Sequence, residues 1–265
     1  MIQQINCDGH WRSIAGDQAA KFGEPGVLKR QSKYGCQYPL VPCGEALADK
    51  LVLPADYKEV IAHCHERQIF PMYHQHRTWA PPGFQWTQNG LNYCWSWSVV
   101  AALMDAMARE AKAFPLLSPV SLGWSVNWAN AGNYLSSAVS AAMERGVCSM
   151  AFTPDPHSRS YRSYVDGWEE DALKNRIAEA WDTDNSSAAS MIQHCVTILK
   201  TGNPLQIAYD WEGHALELAG LVWDESKPNN LRWVIRNSHN ENDLIERSGT
   251  KAVPDEAIGI RATKD

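Results

Sequence analysis

The chain is expected to fold as a two-lobed α+β protein, and three features of the sequence lead there. Helical periodicity dominates up to about residue 200, alternating strand-like runs follow it, and a cysteine stands at the head of the longest helical stretch. Helices first and strands later place the two kinds of structure in separate layers, with a cleft where a helical lobe meets an antiparallel β lobe.

Residues 1–52 carry no sustained period and are punctuated by GEPG, YGCQYP and VPCGE. They read as an irregular arm with a short helix near Asp17–Phe22. A helix is expected over 54–68, because Pro54 suits a first-turn position and Tyr57, Val60, Ile61 and Cys64 share one face. The stretch 71–82 reads as extended. The next helix begins at Cys94 and runs to about Lys112, with Val99, Leu103, Met107 and Ala111 on its apolar stripe. A further helix fits Tyr134–Arg145 and stops at Gly146. Two more fit Glu169–Trp181 and Ala188–Lys200. Strands follow at Leu205–Tyr209, His214–Trp223, Leu231–Asn237 and Ala257–Arg261. The organisation expected is an irregular extension over 1–80 and a single larger unit over 81–265.

Bulk properties exclude several functions. Hydrophobic content of 45% and charged content of 20% describe an ordinary globular chain. A net charge of −6 gives no basic face for nucleic acid or an anionic membrane; Lys29, Arg30 and Lys33 read as a solvated loop. The N-terminus has neither the basic start nor the apolar core of a secretory signal, and no run is long enough to span a bilayer. The expected location is cytoplasmic, or within a particle assembled inside the cell. Seven cysteines are an odd number, so at least one is a free thiol or pairs between chains. Cys36 and Cys43 are close neighbours, and their bonding state stays open.

The chemistry concentrates in QNGLNYCWSWS, residues 88–98. A cysteine opening a helix sits at the positive end of the backbone dipole, where its thiolate is stabilised and its pKa is expected to fall. A side-chain amide just upstream, from Gln88, can donate to an oxyanion forming beside that sulfur. A cysteine nucleophile also needs a base and a group to orient the base. His214, at the head of GHALELAGL, is the candidate base. Asn237, at the end of LRWVIRNS, is the candidate orienter. Each has a plainer reading: Cys94 as a small buried hydrophobe, His214 as a satisfied strand histidine, Gln88 and Asn237 as turn residues. Their order along one chain favours the chemical reading.

In that order these residues resemble the nucleophile segment and triad of papain-like cysteine peptidases: Gln88, Cys94-Trp95, Trp97 and Ser98, then His214 and Asn237. LSPVSL at 117–122, AGNYLSSAVSAAMERGV at 131–147, HALELAG and VIRNS extend the likeness over 88 to about 262. The resemblance implies a papain-like two-lobed fold and a cysteine endopeptidase acting on polypeptides through a Cys94 thioester, without metal or other cofactor. It places Cys94, His214, Asn237 and Gln88 in catalysis, and Asn92, Tyr93, Gly132, Asn133 and Gly213 along the substrate groove. Four departures stand out. A family disulfide is missing at both its positions, Leu91 and Asn130, which suits a reducing compartment. Asn92-Tyr93 and Asn133 stand where the family has small residues, and Asn133 is expected to take positive φ there. His239 replaces an indole that shields the His–Asn bond, so that bond is expected to be wetter. The segment before His214 is also short.

The family's helical propeptide signature is not visible in 1–80, which is expected to be an integral extension and a surface for protein assembly. Two other functions compete. The fold could serve as a structural or binding component of a larger assembly, for example a virus particle, or the thioester could feed acyl transfer to another acceptor. The paired histidines His63/His65 and His74/His76 do not assemble four ligands at convincing spacing, and no metal is expected.

Overall fold

A computed structural model describes residues 2–9, 41–42, 47–74, 87–88, 91–110, 115–126, 132–153, 165–183, 185–238 and 244–262. The expected helix at 17–22, Cys36 and Cys43, Lys29, Arg30 and Lys33, His76, Asn130 and His239 lie outside them. The described elements, in chain order, are β1 (Gln3–Asn6), β2 (Val41–Pro42), α1 (Tyr57–Glu66), α2 (Cys94–Arg109), α3 (Pro119–Ser125), α4 (Leu135–Glu144), α5 (Trp168–Ala172), β3 (Ile177–Asp182), α6 (Ala188–Lys200), β4 (Leu205–Tyr209), β5 (His214–Trp223), β6 (Leu231–Arg236), β7 (Ile245–Ser248) and β8 (Glu256–Ala262). The architecture is α+β. No described helix is long and apolar enough to cross a membrane.

The strands form one sheet in the order β1-β7-β6-β5-β4-β8-β3-β2. Its six central strands pair antiparallel, as expected of the β lobe. The two outermost differ from that expectation: β1 pairs with β7 and β2 with β3 in parallel. Both outer strands come from the first 80 residues, so these parts of the N-terminal segment complete the sheet edges. Asp8 strengthens the attachment, its carboxylate accepting from the backbone N–H groups of Thr250 and Lys251.

Among the described residues there are two large apolar clusters, with a third, small one of Ala219, Val234 and Leu244. The first gathers α2, α3 and α4 with inward residues of β3 and β8, among them Leu103, Val139, Ile177 and Ile260. The other packs α1 and α6 on β4–β7, through Ile61, Ile198, Ile207 and Trp233. Helix α2 belongs to the first cluster, packed between α3 and α4 on one side and β4, β5 and β8 on the other, and every residue from Cys94 to Met107 is buried. The helix is therefore not the one-faced stripe expected of a surface helix but a central element.

Two elements differ from expectation. The stretch 169–181 is not one helix: α5 ends at Ala172, the Asn175 side-chain amide donates to the carbonyls of Asp171 and Val147, and β3 begins at Ile177. Ile177, Ala180 and Trp181 have helical spacing, but pairing with β8, with a register shift between Ile177 and Glu179, takes precedence. At 71–73 the chain makes a 3₁₀ turn rather than an extended run, with Pro71 fixing its first position.

Gly146 ends α4 as expected, at φ +75°, and a Cβ there would lie 1.9 Å from the Ala172 carbonyl oxygen. Gly146→Ala is expected to cost about 1–3 kcal/mol from backbone strain, with further loss from the clash. Urea denaturation measures it, and an unchanged midpoint would contradict this account.

Candidate active site

Cys94 is the first residue of α2, as the sequence predicts. The start of this helix is pinned to its surroundings by side chains. Gln206 on β4 donates to the Trp95 carbonyl at 2.6 Å and to Ser98 Oγ at 2.8 Å. Ser96 Oγ donates to the Pro119 carbonyl, and Trp95 Nε1 donates back to the Asn92 carbonyl at 2.9 Å. The nucleophile candidate thus sits on a fixed turn, braced from the sheet, from α3 and from its own approach loop.

His214 opens β5, preceded by a tight turn in which the Glu212 and Gly213 N–H groups donate to the Tyr209 carbonyl. Gly213 takes φ +63° in that turn. Asn237 follows β6. His214 Nε2 and Asn237 Oδ1 are 2.8 Å apart, and Oδ1 also receives the Ser238 backbone N–H at 2.8 Å. A backbone N–H can only donate, so the atom it meets is the amide oxygen, and the histidine nitrogen facing that oxygen must be protonated. Nδ1 is then the basic nitrogen of a neutral ring. The pair is 2% and 5% exposed, so the wetter bond expected from the exchange at His239 is not found.

The backbone N–H of Ala215, the residue after His214, points at the Cys94 sulfur, which places the head of β5 beside the thiol. The expected fall in the Cys94 pKa does not occur. Burial pushes the thiol up to about 12, against the Ala215 and Trp95 N–H groups, and the Glu212 carboxylate pushes the same way as burial. Cys94 is 0% exposed, and desolvation of a thiolate outweighs the few dipoles aimed at it.

Gln88 is drawn to the His–Asn side of the site. Its backbone N–H donates to the Ser238 carbonyl at 2.9 Å, Ser238 Oγ donates to its Oε1 at 2.6 Å, and its Nε2 donates to the Leu91 carbonyl at 2.5 Å. Of the expected groove residues, Asn92 and Tyr93 are buried. The Tyr93 ring fills the space left by the missing Cβ of Gly123, which would come within 2.5 Å of it. Gly132 and Asn133 are half-buried. Among the described residues the non-glycine positions with positive φ are Gln68, Asn229 and Asn230. Asn133 is therefore not in the expected conformation; its Oδ1 accepts from the next backbone N–H, of Tyr134.

Several residues the sequence reading passed over are built around this constellation. Arg247 grips Glu212 with both terminal nitrogens, at 2.5 and 3.0 Å, and its guanidinium lies 4.9 Å from the Tyr209 ring centroid. That pair stiffens the turn leading into His214. Arg236, just before Asn237, binds Asp105 and Glu217, each at 2.9 Å. The available signal was a charge inside an apolar run: Asp105 in VVAALMDAMA, Glu217 in HALELAG, Arg236 in WVIRN. His65 has a structural role, donating from Nε2 to the Leu221 carbonyl and accepting at Nδ1 from the Tyr73 hydroxyl.

The α+β fold and the Cys–His–Asn order together define the class: this is the fold of papain-like cysteine proteases. Solved structures similar to the chain include xylellain, a cysteine protease from Xylella fastidiosa (TM-score 0.54, 18% identity, 90% of this chain and 100% of that one). Procathepsin L2 proteinase from Tenebrio molitor larval midgut matches at TM-score 0.60 and 12% identity, over 92% of this chain and 80% of its own. Procathepsin L 3 from the same tissue matches at 0.53 and 15%, over 95% and 91%. No family model and no curated protein sequence matches the chain.

Burial and the charge of Asp105 hold the Glu217 carboxyl well above its ordinary range. A raised carboxyl pKa in the folded state means the fold keeps a proton the unfolded chain has released. The stability that proton carries is complete below about pH 4.3 and is lost progressively as pH rises. Glu217→Gln, which fixes the neutral form, should therefore lose less stability than the parent between mildly acidic and alkaline pH. Thermal melting across that range tests it, and parallel curves for the two proteins would show that Glu217 is ionised.

Proposed function

We propose that the chain is a cysteine peptidase in which Cys94 is the nucleophile, His214 the proton carrier and Asn237 its orienter. The observation that carries this reading is the forced tautomer: Asn237 holds Nε2–H, which leaves Nδ1 as the nitrogen able to take a thiol proton, on a strand whose next residue, Ala215, points its backbone N–H at the Cys94 sulfur. In the first step the Cys94 proton passes to Nδ1 and the sulfur adds to the scissile carbonyl carbon. The carbonyl electron pair moves to oxygen, where the backbone N–H of Cys94 and the second N–H of the Gln88 amide can receive it. Collapse of this adduct breaks the C–N bond, and the imidazolium returns its proton to the leaving amine. Water, losing a proton to Nδ1, then hydrolyses the thioester to the acid and the free thiol.

The burial of Cys94 decides how its thiolate can form. With the thiol pushed up to about 12, direct ionisation to solvent at neutral pH is negligible, so reactivity there depends on transfer to His214. Cys94→Ala should abolish peptide hydrolysis while leaving the melting temperature within a few degrees. His214→Ala should lower hydrolysis by roughly 10²- to 10⁴-fold. In the same variant, alkylation of Cys94 by iodoacetamide, followed by mass spectrometry, should be confined to strongly alkaline pH. Neutral-pH alkylation that is equally fast with and without His214 would sink the proton-transfer role.

A second reading is favoured by one specific finding. The full burial of Cys94, with Gln88 already engaged by Leu91 and Ser238, suits a papain-like fold kept as a structural component of an assembly. Residues 1–80 would then contribute the assembly surface. A folded protein whose Cys94 resists alkylation at all pH values short of unfolding, and which cleaves no peptide library, would establish this reading over the first.

A further inference from the structure

Three buried ionisable side chains meet where the three candidate catalytic elements cross. Asp105 belongs to α2, which begins at Cys94; Glu217 belongs to β5, which begins at His214; Arg236 ends β6, immediately before Asn237. Arg236 Nη2 donates to Asp105 Oδ2 at 2.9 Å and its Nε donates to Glu217 Oε2 at 2.9 Å, with all three side chains 2% exposed or less. Glu217 and Arg236 are also direct register partners in the β5–β6 ladder.

Burying such a group is costly, and apolar residues of the same volume often stabilise a core as well or better. What a two-pronged guanidinium supplies that apolar packing does not is direction: its fork fixes the distance and angle between two acceptors. Here the acceptors stand on the nucleophile helix and on the histidine strand, and the fork stands next to the asparagine.

We propose that Arg236 is a positioning residue, clamped by Asp105 and Glu217, that sets the strand end on which Asn237 holds His214 beside Cys94. The proposal rests on the peptidase reading for its effect on turnover, but its geometric content, the fixing of the His214 Nε2–H bond, is independent of that reading.

The test uses the full chain with Arg236→Lys, Glu217→Gln and Glu217→Met. Lysine keeps the charge and loses the fork; methionine keeps the volume and loses the acceptor; glutamine keeps the acceptor. In the parent, the His214 Nε2–H should give a protected low-field proton resonance by NMR. Glu217→Gln should preserve it, whereas Arg236→Lys and Glu217→Met should broaden it or hasten its exchange with solvent. The expected fall in kcat for those two variants is about 10- to 100-fold with KM little changed, the size of effect that a small misplacement of reacting groups produces. Glu217→Met leaves the buried Arg236 Nε without its acceptor and should also melt lower than the parent, so the resonance and kcat are read at a temperature where every variant is fully folded, where a purely structural role would change neither. If Arg236→Lys does not fold, Glu217→Met carries the test. An unchanged resonance in folded Glu217→Met overturns the proposal, whether or not the protein cleaves peptides. Loss of Cys94-dependent hydrolysis in the parent itself overturns only the peptidase reading.

Discussion

The rest of the structure depends on the burial of α2 from Cys94 to Met107. A helix enclosed from Cys94 to Met107 has no water to satisfy its first turn, so the groups there must be met by the protein. The Ser96 and Trp97 N–H groups donate to the Tyr93 carbonyl, Gln206 donates to the Trp95 carbonyl and Ser98 Oγ, and Ser96 Oγ donates to the Pro119 carbonyl. The one charged residue in that enclosed run, Asp105, needs a cation of its own, and Arg236 provides it from the sheet. The sheet and the helical layer are thereby keyed to each other by polar contacts of fixed geometry. The same enclosure that orders the site also desolvates its thiol, which is why the nucleophile candidate is well oriented and hard to ionise in the same structure.

Much of this was legible in the sequence where local pattern and tertiary setting agree. The helices at 57–66, 94–109, 135–144 and 188–200 carry apolar residues at helical spacing, and β4, β5 and β6 are runs rich in branched and aromatic residues. Strand β3 was hidden because Ile177, Ala180 and Trp181 satisfy a helical template and only the partner strand β8 overrides it. Strand β7, IERS, is not among the strands expected from the sequence, because it carries two charges in four residues. Its charges are neutralised by residues distant in sequence: Glu246 by Arg232, and Arg247 by Glu212. Pairings of this kind have no local signature: Asp105, Glu217 and Arg236 each stand out as a charge inside an apolar run, but nothing local says that they meet. The Cys94, His214 and Asn237 positions were readable because each stands at an element end, where a polar residue next to an apolar run is conspicuous.

The thiol and the imidazole must be considered together. A solvent-exposed cysteine at a helix start gains from the backbone dipole, but here desolvation removes more than the Ala215 and Trp95 N–H groups return. An ion pair with His214 would offset that cost inside the site, because the imidazolium then supplies the counter-charge that water cannot. Glu212 acts the other way on Cys94, and its bidentate engagement by Arg247 tempers its charge. The turn before His214 is thus both a mechanical brace and a source of charge close to the sulfur.

The loop approaching Cys94 shows how a low-identity chain can retain this architecture. Leu91 occupies a position where the papain-like pattern has a cross-linking cysteine, and here it is buried in the helical cluster. Four hydrogen bonds from or to Gln88 tie the loop to Ser238 and to Leu91 itself, and the Trp95 indole closes it onto Asn92. Packing and a short polar network hold the loop. The network runs through Ser238, whose backbone N–H also fixes the Asn237 amide, so the loop that presents the nucleophile and the strand end that orients the base are held by one residue. Oxidation or reduction of a disulfide cannot loosen such a tie. Its vulnerability lies instead at Ser238, where loss of the hydroxyl would slacken Gln88 while leaving the His214–Asn237 bond in place.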